Sequence, residues 1–281
     1  MWGISSQVYD MSMATGKAFT RIIAFLTLNL VRTRQTTVLL RLLLNHVRLF
    51  ILARLRYWGN RNFYSEIRLW NNIFGLISAD RRWIDQYRLE YPEDLEEFID
   101  LLNARFQVHK SRVLDVGSGP ISRLAKGIHK FELYCLDPLA GEYDRLHRIT
   151  GMKVDFKFIE GNCEELNTIF RAESFHLVYA SNSLDHTDSP ALCIRCMSDM
   201  LKPDGVLFVE SYEKEGSYHH WYGLHQYDLT LESPDLYLGT RNDGMQNITE
   251  DLPLKQIYFR RKPGERYFRV AWQKTTNKAI E

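Results

Sequence analysis

Five short groups of residues in this chain of 281 have the types and spacing to do chemistry. The first is Asp115-x-Gly117-x-Gly119, at the end of the apolar run Val113–Val116. An acid and two glycines where a strand turns let backbone amides approach a ligand closely, because glycine carries no Cβ to stand in the way. The second is Asp137, in Leu136-Asp137-Pro138, 22 residues after Asp115 and at the end of the next apolar run. A carboxylate there can accept hydrogen bonds from both hydroxyls of a ribose. The third is Glu160-Gly161-Asn162-Cys163-Glu164, the fourth Asn182-Ser183-Leu184-Asp185-His186, and the fifth Leu201-Lys202-Pro203-Asp204-Gly205. All five fall at turns, and four follow strand ends of the kind where open α/β sheets bind ligands. An imidazole ordinarily titrates near neutral pH, so His186 is the first candidate proton acceptor and His225 the second. Taken singly, Asp115 could cap its own turn, Asp137 could form a turn with Pro138, and His186 could sit on a surface loop. Five such groups in order along one alternating sequence favour a site.

The order and spacing from about Arg112 to Glu210 resemble the class I S-adenosylmethionine-dependent methyltransferases, especially the small-molecule, methyltransferase-11-like enzymes whose first motif is of the VLDVGSGPG type. The closing strands extend the likeness to about Lys274. The resemblance implies S-adenosyl-L-methionine as cofactor. It assigns Asp115, Gly117, Ser118 and Gly119 to the methionine end of that molecule, Asp137 to the ribose, and Pro138 to the neighbourhood of the adenine. Asn162 and Cys163 stand where the family usually has the Asp and Ala of Gly-Asp-Ala-Glu, and Ser181 completes the expected cofactor set. Leu184-Asp185-His186 through Pro190 looks like the family segment that approaches the methyl group and the acceptor, so Asn182, Ser183 and Asp185 are expected to line the acceptor pocket. Ile121 departs from the pattern, because a third glycine is common there.

Between the fifth strand and the closing hairpin lies a segment rich in Tyr, Trp and His, from Ser211 to Asp228. Tyr212, His219 and His220 are expected to contact the acceptor. The histidines at 219, 220 and 225 lack a regular ligand spacing and have no Cys nearby, so no metal site is expected. The sulfonium methyl of the donor is already activated, and the protein has mainly to align an acceptor with it. The reading is O-methylation of a sugar, a glycan or a lipid-linked small molecule. Asn162 and the missing third glycine motivate a different class, a catalytically silent methyltransferase-like scaffold or assembly factor at a membrane surface. An NAD-dependent oxidoreductase would need glycine where Ser122 stands, and no acceptor motif for nucleic-acid methylation is present.

The elements that must position these groups follow from the apolar pattern. Val113–Val116, Phe131–Leu136, Val154–Ile159, Phe175–Ala180 and Val206–Glu210 read as short buried strands alternating with helical segments, which predicts an α/β fold with a doubly wound, mainly parallel sheet. Lys255–Arg261 and Arg266–Lys274, joined through Lys-Pro-Gly-Glu, predict a C-terminal antiparallel hairpin. Residues 1–90 read as a basic amphipathic helical extension, and residues 91–281 as the Rossmann-like domain with an insertion at about 211–253.

Residues 1–62 hold nine Lys or Arg against Asp10, a net +8, leaving 27 basic and 34 acidic residues in the remainder, a net −7. Residues 17–57 are Leu-rich, with Arg34, Arg41, Asn45, Arg48 and Arg56 on one narrow helical stripe. The greasy remainder must therefore be covered by the fold, by a second protomer in a homo-oligomer, or by a membrane surface. The run Ile22–Val31 has ten uncharged residues, about half of a membrane span, and no cleavage site follows it. Four scattered cysteines suit a reducing compartment. These features predict a cytoplasmic protein, peripheral at the inner face of a membrane, with nucleic acid not expected as a partner.

Overall fold

The computed structural model describes residues 34–55, 61–79, 111–125, 131–261 and 264–275. The expected helices over residues 17–33 and through 80–106 lie outside the described residues. The chain divides into two compact units, Met1–Ile84 with Arg148–Gly151, and Asp85–His147 with Met152–Glu281.

In the first unit, α1 (Arg34–Leu55) packs on α2 (Arg61–Ala79). Leu42 and Leu49 of α1 and Ile67 and Phe74 of α2 are buried there. So is Asn45, whose side-chain amide donates to Asn71 Oδ1 at 3.0 Å. The stripe that reads as a wet edge thus has its one uncharged member inside the helix pair. An asparagine spaced three and four residues from two buried leucines shares their face, and the facing Asn71 answers its polar group. Leu40, Leu44, Val47, Phe50 and Ile51 remain about half exposed.

The second unit is built on a seven-stranded sheet in the order β3-β2-β1-β4-β5-β10-β9. Its strands are β1 (Arg112–Val116), β2 (Glu132–Asp137), β3 (Lys157–Glu160), β4 (Phe175–Ser181), β5 (Leu201–Tyr212), β9 (Leu254–Arg261) and β10 (Tyr267–Lys274). The first five pair in parallel, while β10 pairs antiparallel with both β5 and β9. The doubly wound sheet closed by a C-terminal hairpin is therefore as the sequence predicts.

The strands read as continuous apolar runs because both faces are covered. Leu114, Val178, Ala180, Leu207 and Val209 belong to one core cluster, and Val113, Leu177, Tyr179, Val206 and Phe208 to the other. Helices α3 (Ala140–Thr150), α4 (Leu166–Ile169) and α5 (Pro190–Met200) complete the alternation. The start of α5 is fixed by Ser189, whose hydroxyl accepts from the Leu192 amide, and by Pro190 in its first turn. Cys193 and Cys196 on α5 are buried in the core, and all four cysteines are free thiols.

Two features differ from the expected pattern. The Leu201–Gly205 turn is drawn into β5, because Leu201 pairs with Phe175 before the register shifts, and Asp204 keeps its turn character with φ of +62°. The insertion also has regular structure of its own: a short helix α6 (Glu215–Tyr218) precedes a three-stranded antiparallel sheet of β6 (Asp228–Glu232), β7 (Asp235–Gly239) and β8 (Gln246–Asn247). Leu229, Leu231, Leu236 and Leu238 of that sheet join the larger core cluster, which anchors the insertion to the domain.

Candidate active site

The sheet reverses its winding between β1 and β4, and the crevice beyond those strand ends is where such folds bind ligands. On one side of it, Gly117 turns with φ of +68°, and a Cβ placed there would lie 2.4 Å from Ser183 Cβ. The backbone approach is thus possible only for glycine. The Gly117 and Ser118 amides donate to Leu136 O at 2.8 and 3.3 Å, tying the β1 turn to the end of β2. Asp137 completes the tie: its Oδ2 accepts from the Gly119 amide at 3.0 Å and its Oδ1 from the Leu139 amide at 2.9 Å. A carboxylate offers about four acceptor sites, and a carboxylate at such a strand end is the kind of group that accepts from a ribose diol. Asp115 lies beneath the turn, buried, accepting from the Ser122 hydroxyl. Burial pushes its carboxyl up to about 7, with the Ser122 bond opposing and the Asp137 and Glu210 charges reinforcing the rise.

Past β4, Asn182 adopts a left-handed conformation with φ of +48°, which asparagine tolerates. Its amide donates to Glu210 O at 2.8 Å and its Oδ1 accepts from the Tyr212 amide at 3.3 Å, bracketing the ends of β4 and β5. Ser183 Oγ donates to Val116 O at 3.1 Å. Beside them Glu210, fully buried, accepts from Ser181 at 2.9 Å, from Tyr179, and from Arg269 at 3.0 Å, with Arg123 at 3.2 Å. Burial alone would raise the Glu210 carboxyl, but Arg123, Tyr179 and Arg269 outweigh it and hold it below the usual carboxylate range.

The residues after β4 and β5 converge on a second polar cluster. Asp185 is buried, its Oδ2 lying 2.7 Å from His225 Nδ1 and 3.5 Å from His186 Nε2, while the two ring nitrogens are 3.2 Å apart. The His219 ring stacks on His225 with centroids 4.1 Å apart, and its Nε2 lies 3.5 Å from Glu215, which is ion-paired with Arg266. Burial would raise Asp185, but His186 and the hydrogen bond from His225 hold it below its ordinary value. Burial, with His225 and Arg266 nearby, lowers His219 to about 4, so that ring is neutral near pH 7. The arrangement places an ionised carboxylate and three imidazoles beyond the same strand ends as the Asp137 turn.

Residues 114–209 match the family described as "Methyltransferase domain". Those residues hold the β1 turn, Asp137 and the Asp185-His186 segment whose geometry is given above. Residues 114–209 therefore carry a methyltransferase domain. The chain is 27% identical over 143 residues to a ubiquinone biosynthesis O-methyltransferase of Neisseria meningitidis, covering 48% of this chain and 59% of that protein. A protein of the same name from Xanthomonas axonopodis pv. citri is 30% identical over 120 residues, covering 40% and 48%. The chain thus spans about half the length of the curated relatives it matches. A solved structure similar to it is the 1,6-didemethyltoxoflavin-N1-methyltransferase of Burkholderia thailandensis with bound 1,6-didemethyltoxoflavin and S-adenosylhomocysteine, at 17% identity and a TM-score of 0.43, covering 72% of this chain and 86% of that one.

S-adenosyl-L-methionine is the cofactor of this methyltransferase domain, and the residues predicted from the sequence to hold it do not all meet in one place. Gly117, Ser118, Gly119 and Asp137 meet at one turn. Asp115 supports that turn from below. Ser181 is engaged by Glu210. Asn162 is exposed, with its amide 3.4 Å from Glu165, and the Cys163 thiol is packed in the core beside Cys193. On the acceptor side, Asp185, His186, His219 and His225 are brought together. His220 is exposed and stands outside that cluster, and Tyr212 packs on Tyr267 with centroids 4.8 Å apart. Glu215, which lies against His219, and its ion-pair partner Arg266 were not among the expected residues. The spacing of Glu215 and His219, four apart on one helical face, was the readable signal for the pair.

Proposed function

We infer that this chain is an S-adenosyl-L-methionine-dependent O-methyltransferase acting on a small hydroxyl-bearing acceptor of saccharide or lipid-linked kind. The observation that carries the reading is the convergence of the Asp137 turn and the Asp185, His186 and His225 cluster on one end of the sheet. When bound, S-adenosyl-L-methionine supplies a sulfonium-activated methyl group. Gly117 and Gly119 give it backbone access, and Asp137 accepts from its ribose hydroxyls. An oxygen acceptor must also lose a proton, and His225 takes it in this reading. Asp185 accepts at Nδ1 of that ring, which fixes the tautomer whose Nε2 carries the lone pair. The order of the two candidates is thereby reversed from the sequence reading, with His225 as the base and His186 packed beside it. The name O-methyltransferase, which the curated relatives carry, favours oxygen as the acceptor atom.

The exposed aromatics Tyr218 and Tyr222 offer apolar faces to a sugar ring or a prenyl-like chain, and Arg266 lies 3.8 Å over the Tyr218 ring. Residues 1–90 act in this reading as the helical extension, with the basic stretch at 17–57 meeting an anionic membrane surface. The test is transfer of labelled methyl from the donor into a panel of saccharides, lipid-linked hydroxyl compounds and free polar metabolites. Label in the first two classes is the expected result, and label confined to the polar metabolites would refute the acceptor assignment.

A further inference from the structure

We propose that Asp185, His186 and His225 form a binding site for a divalent cation of the borderline, zinc-like class. Asp185 Oδ2, His186 Nε2 and His225 Nδ1 form a triangle with sides of 2.7, 3.2 and 3.5 Å. Ligand atoms about 2.0–2.2 Å from one ion lie roughly 2.8–3.6 Å apart in octahedral to tetrahedral geometry, so the triangle is nearly that of one coordination face. The donor set of two imidazoles and a carboxylate is the kind that zinc and its neighbours accept.

Hydrogen counting points the same way. His225 Nδ1 faces Asp185 Oδ2 and His186 Nε2 together, and the single hydrogen it can carry cannot be directed at both. Moving the hydrogen to His186 Nε2 leaves His225 Nδ1 as a lone pair against a carboxylate at 2.7 Å. A cation satisfies all three atoms at once. The other carboxylate oxygen, Asp185 Oδ1, is buried and takes no hydrogen bond from another residue among the described residues, so the carboxylate is incompletely compensated. Leaving such a group unpaired is costly, and a cation on Asp185 relieves it.

A second group, Glu215, His219 and His225, shares the His225 ring. Glu215 is committed to Arg266, which leaves the Asp185 triangle as the primary ligand set and His219 as the stacked support that fixes the His225 ring. The His186 and His225 side chains are about one-fifth exposed, so a bound ion would reach the crevice. Binding of the ion does not depend on the methyl-transfer reading. Its use does rest on that reading, and it takes the place of the His225 base there: with Nδ1 on an ion the neutral ring carries its hydrogen at Nε2, and the cation would instead hold the acceptor oxygen and lower the pKa of its hydroxyl, the Lewis-acid function of such ions.

The experiment is titration of the full, chelator-stripped chain with Zn2+, followed by calorimetry, and with Co2+, followed by its visible d–d bands. One ion per chain is expected, with His225→Ala and Asp185→Asn each weakening it by at least ~100-fold, since each removes a direct ligand. His220→Ala should leave binding unchanged. Circular dichroism identifies variants that retain their fold. Absence of stoichiometric binding, or undiminished affinity in folded His225→Ala and Asp185→Asn, would overturn the proposal. Calorimetry with S-adenosyl-L-methionine on the same samples separates failure of the ion site from failure of the methyl-transfer reading.

Discussion

At the scale of single residues, the acids of the two central strands do different work. Asp137 stands at the mouth of the turn with its oxygens on the Gly119 and Leu139 amides, whereas Asp115 is sealed beneath it on Ser122. Replacing Asp137 with Ala should weaken donor binding by roughly 10- to 100-fold, the scale of hydrogen bonds to a charged group, as calorimetry would read. Asp115 predicts a pH effect instead. Its folded value of about 7 lies above that of an ordinary carboxyl, so its contribution to stability is fully present below about pH 4 and is lost as pH rises through 7. Asp115→Asn has nothing to ionise and should flatten the decline in melting temperature from pH 5 to 8. Identical slopes in the two proteins would contradict this. The sequence told these acids apart in part. Spacing located both, but a strand end does not reveal which carboxylate is buried, and that depends on Ser122 reaching back from the third-glycine position of the dinucleotide-binding motif.

At the scale of elements, the sheet was legible because β1, β2, β4 and β5 are apolar on both faces and end in turn residues, a pattern set by local chemistry. The sheet β6-β7-β8 was not. Its strands are two to five residues long and sit in a segment dominated by polar and aromatic residues, so its alternation is weak, and it is stabilised by packing Leu229, Leu231, Leu236 and Leu238 on the larger core. The histidine cluster was hidden for a related reason. Asp185 and His225 are 40 positions apart and meet only because this insertion folds back, with the Gln226 amide bonding Asp185 O at 3.4 Å. Helix α1 makes the same point, since a wheel places Asn45 with the arginines but cannot see Asn71. Asn45→Ala should destabilise the helix pair by about 1–3 kcal/mol, because Asn71 loses its buried donor, while Asn45→Leu with Asn71→Leu should recover most of it. Chemical unfolding of the two variants distinguishes these outcomes. A double variant weaker than the single one would argue against an amide pair that matters mainly through its satisfaction.

At the scale of the whole molecule, charge and architecture separate along the chain. The excess of +8 in residues 1–62 contrasts with −7 in the remainder, and no helix among the described residues is long and apolar enough to cross a membrane. A surface role for the arm predicts that the full chain floats with vesicles containing anionic lipid, and that replacing Arg21, Arg32, Arg34 and Arg41 with Gln sharply reduces the floated fraction. Flotation unaffected by those replacements would remove the electrostatic basis for the assignment. The methyltransferase domain makes the more central claim, that one end of its sheet holds an S-adenosyl-L-methionine site beside a proton-accepting acceptor site. The most direct measurement is calorimetric titration of the full chain with S-adenosyl-L-methionine and with S-adenosylhomocysteine. One site per chain is expected for each, lost or greatly weakened in Asp137→Ala. Binding of neither compound to the folded chain would contradict it and favour a catalytically silent scaffold.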